Sequence, residues 1–218
     1  MARYTLIIGT KDWSSWSLRP YLALKAIGAP FGEEVIQLRH DSATEEVQRR
    51  SPSGRVPLLK IAEDGREQLV WDSLAICETL AERHPEAKLW PDGPGLRAEA
   101  RAHAAEMHSG FPDLREQLSM EFVRRLPIPA LREGTKAQIA RIISAWTHVL
   151  ERDGSNDGFL FGRFSIADCM YAPVVSRFRT YGIAVPAVVQ AYCDRIWALP
   201  AMRNWEKAAQ AEVDSGLA

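Results

Sequence analysis

Residues 5–20 read Thr5-Leu6-Ile7-Ile8-Gly9-Thr10-Lys11-Asp12-Trp13-Ser14-Ser15-Trp16-Ser17-Leu18-Arg19-Pro20. The apolar run from Thr5 to Gly9, ended by glycine, predicts a buried strand. A polar loop follows, and Leu18, Tyr21, Leu22, Lys25 and Ala26 then begin a helical spacing that continues to Gly28. Proline is tolerated best in a helix's first turn, so Pro20 puts the helix start near Ser15 to Ser17. Ser14 and Ser15 therefore stand at or beside a helix N-terminus, where unpaired N–H groups and the positive end of the macrodipole favour an anion. Plain N-capping is the other use of a serine there.

Working outward, Glu33 to Leu38 is expected to be a second strand, parallel to the first if the helix between them is a crossover. Ala43 to Arg50 reads as a short polar helix. Val56 to Ile61 and Gln68 to Trp71 read as two more strands, with Glu63-Asp64-Gly65 as the turn between them. Ser73 to Arg83 is a helix, with Ile76, Cys77, Leu80 and Ala81 on one face. This order gives a four-stranded mixed sheet with helices, complete by residue 84.

Residues 85–94, with Pro85, Pro91, Gly93 and Pro94, form the expected linker. After it the strand signals stop. Gly95 to Arg125 is expected to form one long helix, kinked or divided at Pro112. Thr135 to Arg152, Ile166 to Tyr181, Pro186 to Ala198 and Ala201 to Ala211 complete an all-helical bundle. The chain thus divides into an α/β domain, residues 1–84, and a helical domain, residues 95–218.

The length of 218 residues suits two compact domains, and 46% hydrophobic with 25% charged residues is globular in character. A formal net charge of −1 gives no electrostatic reason to expect nucleic acid or an anionic membrane as partner. No apolar run approaches the roughly 20 residues that span a bilayer. The apolar stretch before Lys11 and Asp12 is too short for a signal peptide, so a cytoplasmic protein is expected. Cys77, Cys169 and Cys193 are an odd, widely spaced set on expected helices, which argues for buried side chains over disulfides or a metal site.

Two further motifs carry chemistry. Arg55-Val56-Pro57 stands just before a strand, where proline forfeits only one ladder bond. A cis Val56–Pro57 bond there turns the Val56 N–H and C=O outward, free to pair with a peptide as with an added strand. Asp72-Ser73 begins a helix, so its N–H groups and the Ser73 hydroxyl can hold a carboxylate while Asp72 pairs with an ammonium group. Helix capping is the bland alternative for both residues. A hydroxyl for an anionic sulfur at Ser14 or Ser15, a backbone edge and an amino-acid clamp together match a short thiol peptide.

With these residues in view, the chain resembles the cytosolic glutathione S-transferase superfamily along nearly its whole length. Ser14-Ser15-Trp16-Ser17-Leu18-Arg19 resembles the Ser-Ser-Cys-Ser-Trp-Arg turn of the serine-type zeta class, the maleylacetoacetate isomerases, with Trp16 in place of Cys and Leu18 in place of Trp. Arg55-Val56-Pro57 resembles the family's cis-proline segment. Asp72-Ser73 stands where the family has Glu-Ser or Gln-Ser for the γ-glutamyl end. Gly162-Arg163-Phe164-Ser165-Ile166-Ala167-Asp168 resembles its N-capping box, with Ser165 and Asp168 in reciprocal roles.

The resemblance implies a thioredoxin-like first domain, glutathione as co-substrate with no metal, a homodimer and a detoxifying transferase. A free thiol near pKa 8.5 is only about 3% thiolate at pH 7, and lowering it by about two units takes roughly 2.7 kcal/mol. Ser14 is the expected hydroxyl donor and Ser15 its alternative. Arg55, Val56, Pro57, Asp72, Ser73 and His40 are the expected glutathione contacts. Trp13, Trp16, Met107, His108 and Phe111 are expected to wall a second pocket for a small hydrophobic electrophile. Isomerisation or dehalogenation with the same thiolate is the alternative reaction, and a non-enzymatic binding protein is the third.

Overall fold

The strand over residues 3–9 is buried on both sides, and its alternation decides the layers. Leu6 and Ile8 point into the main core, whereas Ile7 joins Ile36, Val47 and Leu58 in a second cluster on the opposite face. In the computed structural model, which describes residues 2–39, 41–153 and 157–218, this strand is β1 (Arg3–Gly9). It is followed by α1 (Ser15–Ile27), β2 (Phe31–Ile36), α2 (Ala43–Arg50), β3 (Leu58–Glu63), β4 (Arg66–Val70) and α3 (Ser73–Arg83). The sheet order is β2-β1-β3-β4, with β2 parallel to β1 and β3 and β4 antiparallel. Val47 of α2 covers one face of the sheet, and α1 and α3 cover the other.

The start of α1 falls at Ser15, with Ser14 as the N-cap residue, and Gly28 closes it in the left-handed region at φ 70°. Beyond a 3-10 turn at Pro85–Ala87 come α4 (Pro94–Ser109), α5 (Pro112–Gln117), α6 (Glu133–Asp153), α7 (Ile166–Tyr181), α8 (Ala187–Trp197) and α9 (Pro200–Asp214). Helix α7 is buried along nearly its full length and packs on α1, α4 and α8, so it is the axis around which the helical domain meets the sheet. Its N-terminus is closed by the Ser165/Asp168 capping box. The Asp168 carboxylate accepts the Ser165 N–H at 2.8 Å, the Ser165 hydroxyl at 2.9 Å and the Leu160 N–H at 3.2 Å. The three cysteines are all buried thiols.

The helix expected over residues 95–125 is divided just before Pro112, as that proline implied, and does not reach residue 125. It ends at Ser109, restarts at Pro112 for one short helix, and gives way to irregular chain from residue 118 to 132. Pro112 removes the N–H that would continue the ladder, and Phe111 turns into the left-handed region at φ 61°. The Arg115 guanidinium then takes over the carbonyls left open at the end of α4, bonding to Met107, His108 and Gly110. This irregular stretch finds its bonds elsewhere: Phe122 N–H donates to the Asp12 carbonyl at 3.1 Å and Val123 N–H to the Asp12 carboxylate at 3.0 Å. Among the described residues, no helix is long and apolar enough to cross a membrane.

Candidate functional site

The N-terminus of α3 and Trp16 of α1 border one cleft of about 670 Å³ between the sheet and α4. Trp16, Arg55, Val56, Pro57, Asp72, Ser73 and His108 line it. Five of the six residues proposed from sequence for a thiol peptide thus share a wall, and the sixth, His40, lies outside the described residues. The Val56–Pro57 peptide bond is cis. Ser73 is fully buried, and its Oγ has no hydrogen-bond partner among the described residues, an open polar atom of the kind that calls for a ligand. Asp72 caps α3 with one carboxylate oxygen, accepting from Leu74 N–H at 3.0 Å and Ala75 N–H at 3.3 Å. Its other oxygen meets His108 Nε2 at 2.9 Å.

Ser14 and Ser15 stand at the head of α1, both nearly buried and neither lining the cleft itself. Ser14 Oγ lies 2.7 Å from Ser17 Oγ, which in turn accepts the Gly9 N–H at 3.2 Å. The loop before them is clamped from the far end of the chain. Glu212 of α9 accepts the N–H of Lys11 at 2.6 Å and of Asp12 at 3.3 Å, and Trp205 Nε1 donates to the Lys11 carbonyl at 2.9 Å.

Of the expected second-pocket wall, Trp16 and His108 face the cleft and meet edge-on, their rings 5.4 Å apart. Met107 and Phe111 do not. Ala100, Ala104 and Met107 form the buried stripe of α4 at helical spacing, which turns Met107 into the core and its neighbour His108 outward. Phe111 is buried by the left-handed turn at the helix break. Trp13 lies away from the cleft under the Arg39 guanidinium, 3.5 Å from the ring centroid.

Residues 13–83 match the glutathione S-transferase N-terminal domain and residues 129–208 match the glutathione S-transferase C-terminal domain. The chain belongs to the glutathione S-transferase superfamily. Two glutathione S-transferase-like crystal structures align with almost all of it. A Burkholderia glutathione transferase homolog with bound glutathione is 27% identical with a TM-score of 0.73, covering 96% of this chain and 99% of its own. Maleylacetoacetate isomerase of Anaeromyxobacter dehalogenans with bound glutathione is 28% identical with a TM-score of 0.69, covering 96% and 98%. The probable maleylacetoacetate isomerase of Caenorhabditis elegans is 35% identical over 100 residues, 46% of this chain and 44% of that protein. The chain spans about half the length, or less, of such curated relatives.

Sequence reasoning did not reach three features of this glutathione S-transferase site. Ser17 stands behind Ser14 as its hydroxyl partner. Asp72 and His108, proposed for separate substrates, are bonded to each other across the two domains. Arg19 is fully buried, and none of its guanidinium nitrogens has a hydrogen-bond partner among the described residues. The signal for the last was an arginine between Leu18 and Leu22 on a helix whose first three turns are almost wholly buried.

Proposed function

We propose that this chain is a glutathione transferase that binds glutathione along the sheet side of the cleft and activates its thiol as thiolate at the head of α1. The observation that carries this reading is the buried Ser73 hydroxyl, unpartnered among the described residues, beside the Asp72 carboxylate at the head of α3, in a cleft that Trp16 of α1 also lines. The γ-glutamyl carboxylate takes the Ser73 hydroxyl and the α3 N–H groups, and Asp72 takes the ammonium. The Val56 backbone pairs with the peptide, and Arg55 and His40 serve its outer end.

In the arrangement we propose, the Ser17 hydroxyl, which accepts the Gly9 N–H, donates to Ser14 Oγ, and the Ser14 hydroxyl donates to sulfur. A charge-assisted bond of this kind, with the helix terminus behind it, supplies energy on the order of the 2–3 kcal/mol that thiolate formation at neutral pH requires. Ser15, which has no hydroxyl partner among the described residues, is the alternative donor. The thiolate then attacks an electrophilic carbon of the second substrate, forming a thioether.

We read residues 1–84 as the glutathione-binding domain, 85–94 as the linker and 95–218 as the second-substrate domain, in a cytoplasmic homodimer. Similarity to two maleylacetoacetate isomerases supports a second reading, glutathione-dependent isomerisation by addition and release of the same thiolate. Retention on immobilised glutathione and turnover of 1-chloro-2,4-dinitrobenzene test the first reading. Passage through the column without retention, and no turnover, sink it; turnover of maleylacetoacetate but not of the aryl halide selects the second.

A further inference from the structure

Beneath Trp16 three arginines converge without an acid to balance them. Arg19, fully buried, lies under the Trp16 ring with its guanidinium carbon 4.0 Å from the centroid, and Arg115 reaches the same ring at 4.6 Å. Arg177 of α7 is buried close behind, bonded to the carbonyls of Leu118 and Pro173. None of the three has a carboxylate partner among the described residues. The nearest acid, Asp72, is committed to the cap of α3 and to His108, and the neighbouring Cys77 thiol is pushed up to about 12 by burial and so carries no charge. Burial holds all three guanidinium groups below their ordinary range, and for Arg19 and Arg177 repulsion from the neighbouring arginines adds to it.

An unpaired charge taken out of water carries a penalty of several kcal/mol, and buried charges are ordinarily paired for that reason. Arg115 and Arg177 have structural uses as carbonyl caps, but Arg19 has none. Its nitrogens and Arg115 Nη1 are the open donors of the cluster among the described residues, and the Trp16 ring that both guanidinium groups contact is itself part of the cleft wall.

We propose that Arg19 and Arg115 form a carboxylate-binding subsite at the base of the cleft, covered by the Trp16 ring, so that the second substrate is an electrophile bearing a carboxylate. A planar guanidinium presents parallel N–H donors that match the two oxygens of a carboxylate. The Trp16 ring shifts to admit the anion and offers its face to the substrate's unsaturated or aromatic body. The subsite rests on the reading of this cleft as the second-substrate pocket, and it narrows the substrate class from apolar electrophiles to anionic ones.

The test compares 4-chloro-3,5-dinitrobenzoate with 1-chloro-2,4-dinitrobenzene, each rate corrected for its uncatalysed reaction with glutathione. The wild type is expected to favour the carboxylate in kcat/KM by about tenfold, the ratio falling to near unity in Arg19→Met and Arg115→Met and recovering in part in Arg19→Lys. A wild-type ratio near unity, or one that survives both methionine variants, overturns the subsite while leaving the transferase reading intact. Circular dichroism checks each variant's fold; should Arg19→Met not fold, Arg115→Met decides. If neither electrophile turns over, the transferase reading fails instead, and tryptophan fluorescence without glutathione carries the test. In that arm 3,5-dinitrobenzoate must bind more tightly than 1,3-dinitrobenzene and lose the advantage in Arg115→Met; equal affinities overturn the subsite.

Discussion

The Asp72 carboxylate and the His108 imidazole meet at 2.9 Å, joining the cap of α3 to the outer face of α4 across the domain boundary. Asp72 therefore has two structural tasks before any ligand arrives, and they have different sizes. The cap is worth about 1 kcal/mol. The pair with His108 is about half exposed on the acid side and contributes 0–1 kcal/mol, roughly. Asp72→Ala is thus expected to destabilise more than His108→Ala in urea unfolding, with Asp72→Asn between them because its amide oxygen still accepts from Leu74 and Ala75. Equal losses for all three would show that the cap contributes nothing.

The Ser17–Ser14 relay makes an ordered prediction. Ser14→Ala removes the donor and is expected to lower kcat by about 100-fold while glutathione remains bound. Ser17→Ala leaves Ser14 in place but without its oriented proton, and should cost about 3- to 10-fold. Ser15→Ala should change little. Steady-state kinetics on the three variants decide; full activity in Ser14→Ala with loss in Ser15→Ala would move the donor one residue along α1.

The loop that carries Ser14 is held by a carboxylate near the end of the chain. Glu212 is half-buried, and burial raises its pKa even though the Lys11 and Asp12 N–H groups favour its anion. Glu212→Ala leaves both donors without a partner and is expected to cost about 1–2 kcal/mol in urea unfolding and to lower kcat through the displaced loop. Glu212→Gln keeps an acceptor oxygen and should stay close to the wild type. If Gln were as damaging as Ala, the charge of Glu212 rather than its hydrogen bonding would be what the loop needs.

The fold was legible where local rules decide. The glycine-terminated run at Thr5, the Glu63-Asp64-Gly65 turn and the Ser165/Asp168 box each act within a few residues, and each feature appears where its own pattern puts it. Helix α1 begins at Ser15 as expected, but Pro20 lies inside the helix and not in its first turn. The breakdown of residues 118–132 was not legible, because their hydrogen bonds go to Asp12 and Thr180, more than fifty residues away in sequence. The same limit applies at the site. Asp72 and Ser73 were marked by their place at a helix start, whereas the side chains facing them from α4 depended on which face α4 buries. A stripe of Ala100, Ala104 and Met107 settles that face in favour of His108, and the small size of two of the three hid it.

Asp168 offers a test with a sign. It is fully buried, and that desolvation raises its pKa to about 6 despite the bonds from Leu160 and Ser165 that favour the carboxylate. A carboxyl whose pKa is raised on folding takes up its proton in the folded state first. Its contribution is fully present below the unfolded value near 4 and is lost as pH rises through about 6. Asp168→Asn cannot titrate, and its amide nitrogen cannot accept the Ser165 N–H, so it is expected to be less stable at every pH by about 1–3 kcal/mol. The gap between wild type and Asp168→Asn should widen by roughly 1 kcal/mol between pH 7.5 and about pH 5, measured by urea unfolding at both. Ser165→Ala, which removes the cap and leaves the titrating group, should cost about 1 kcal/mol. A wild-type-to-Asn gap that narrows as the pH falls would mean that the hydrogen bonds at Asp168 outweigh its burial, and that the box is held by an anion after all.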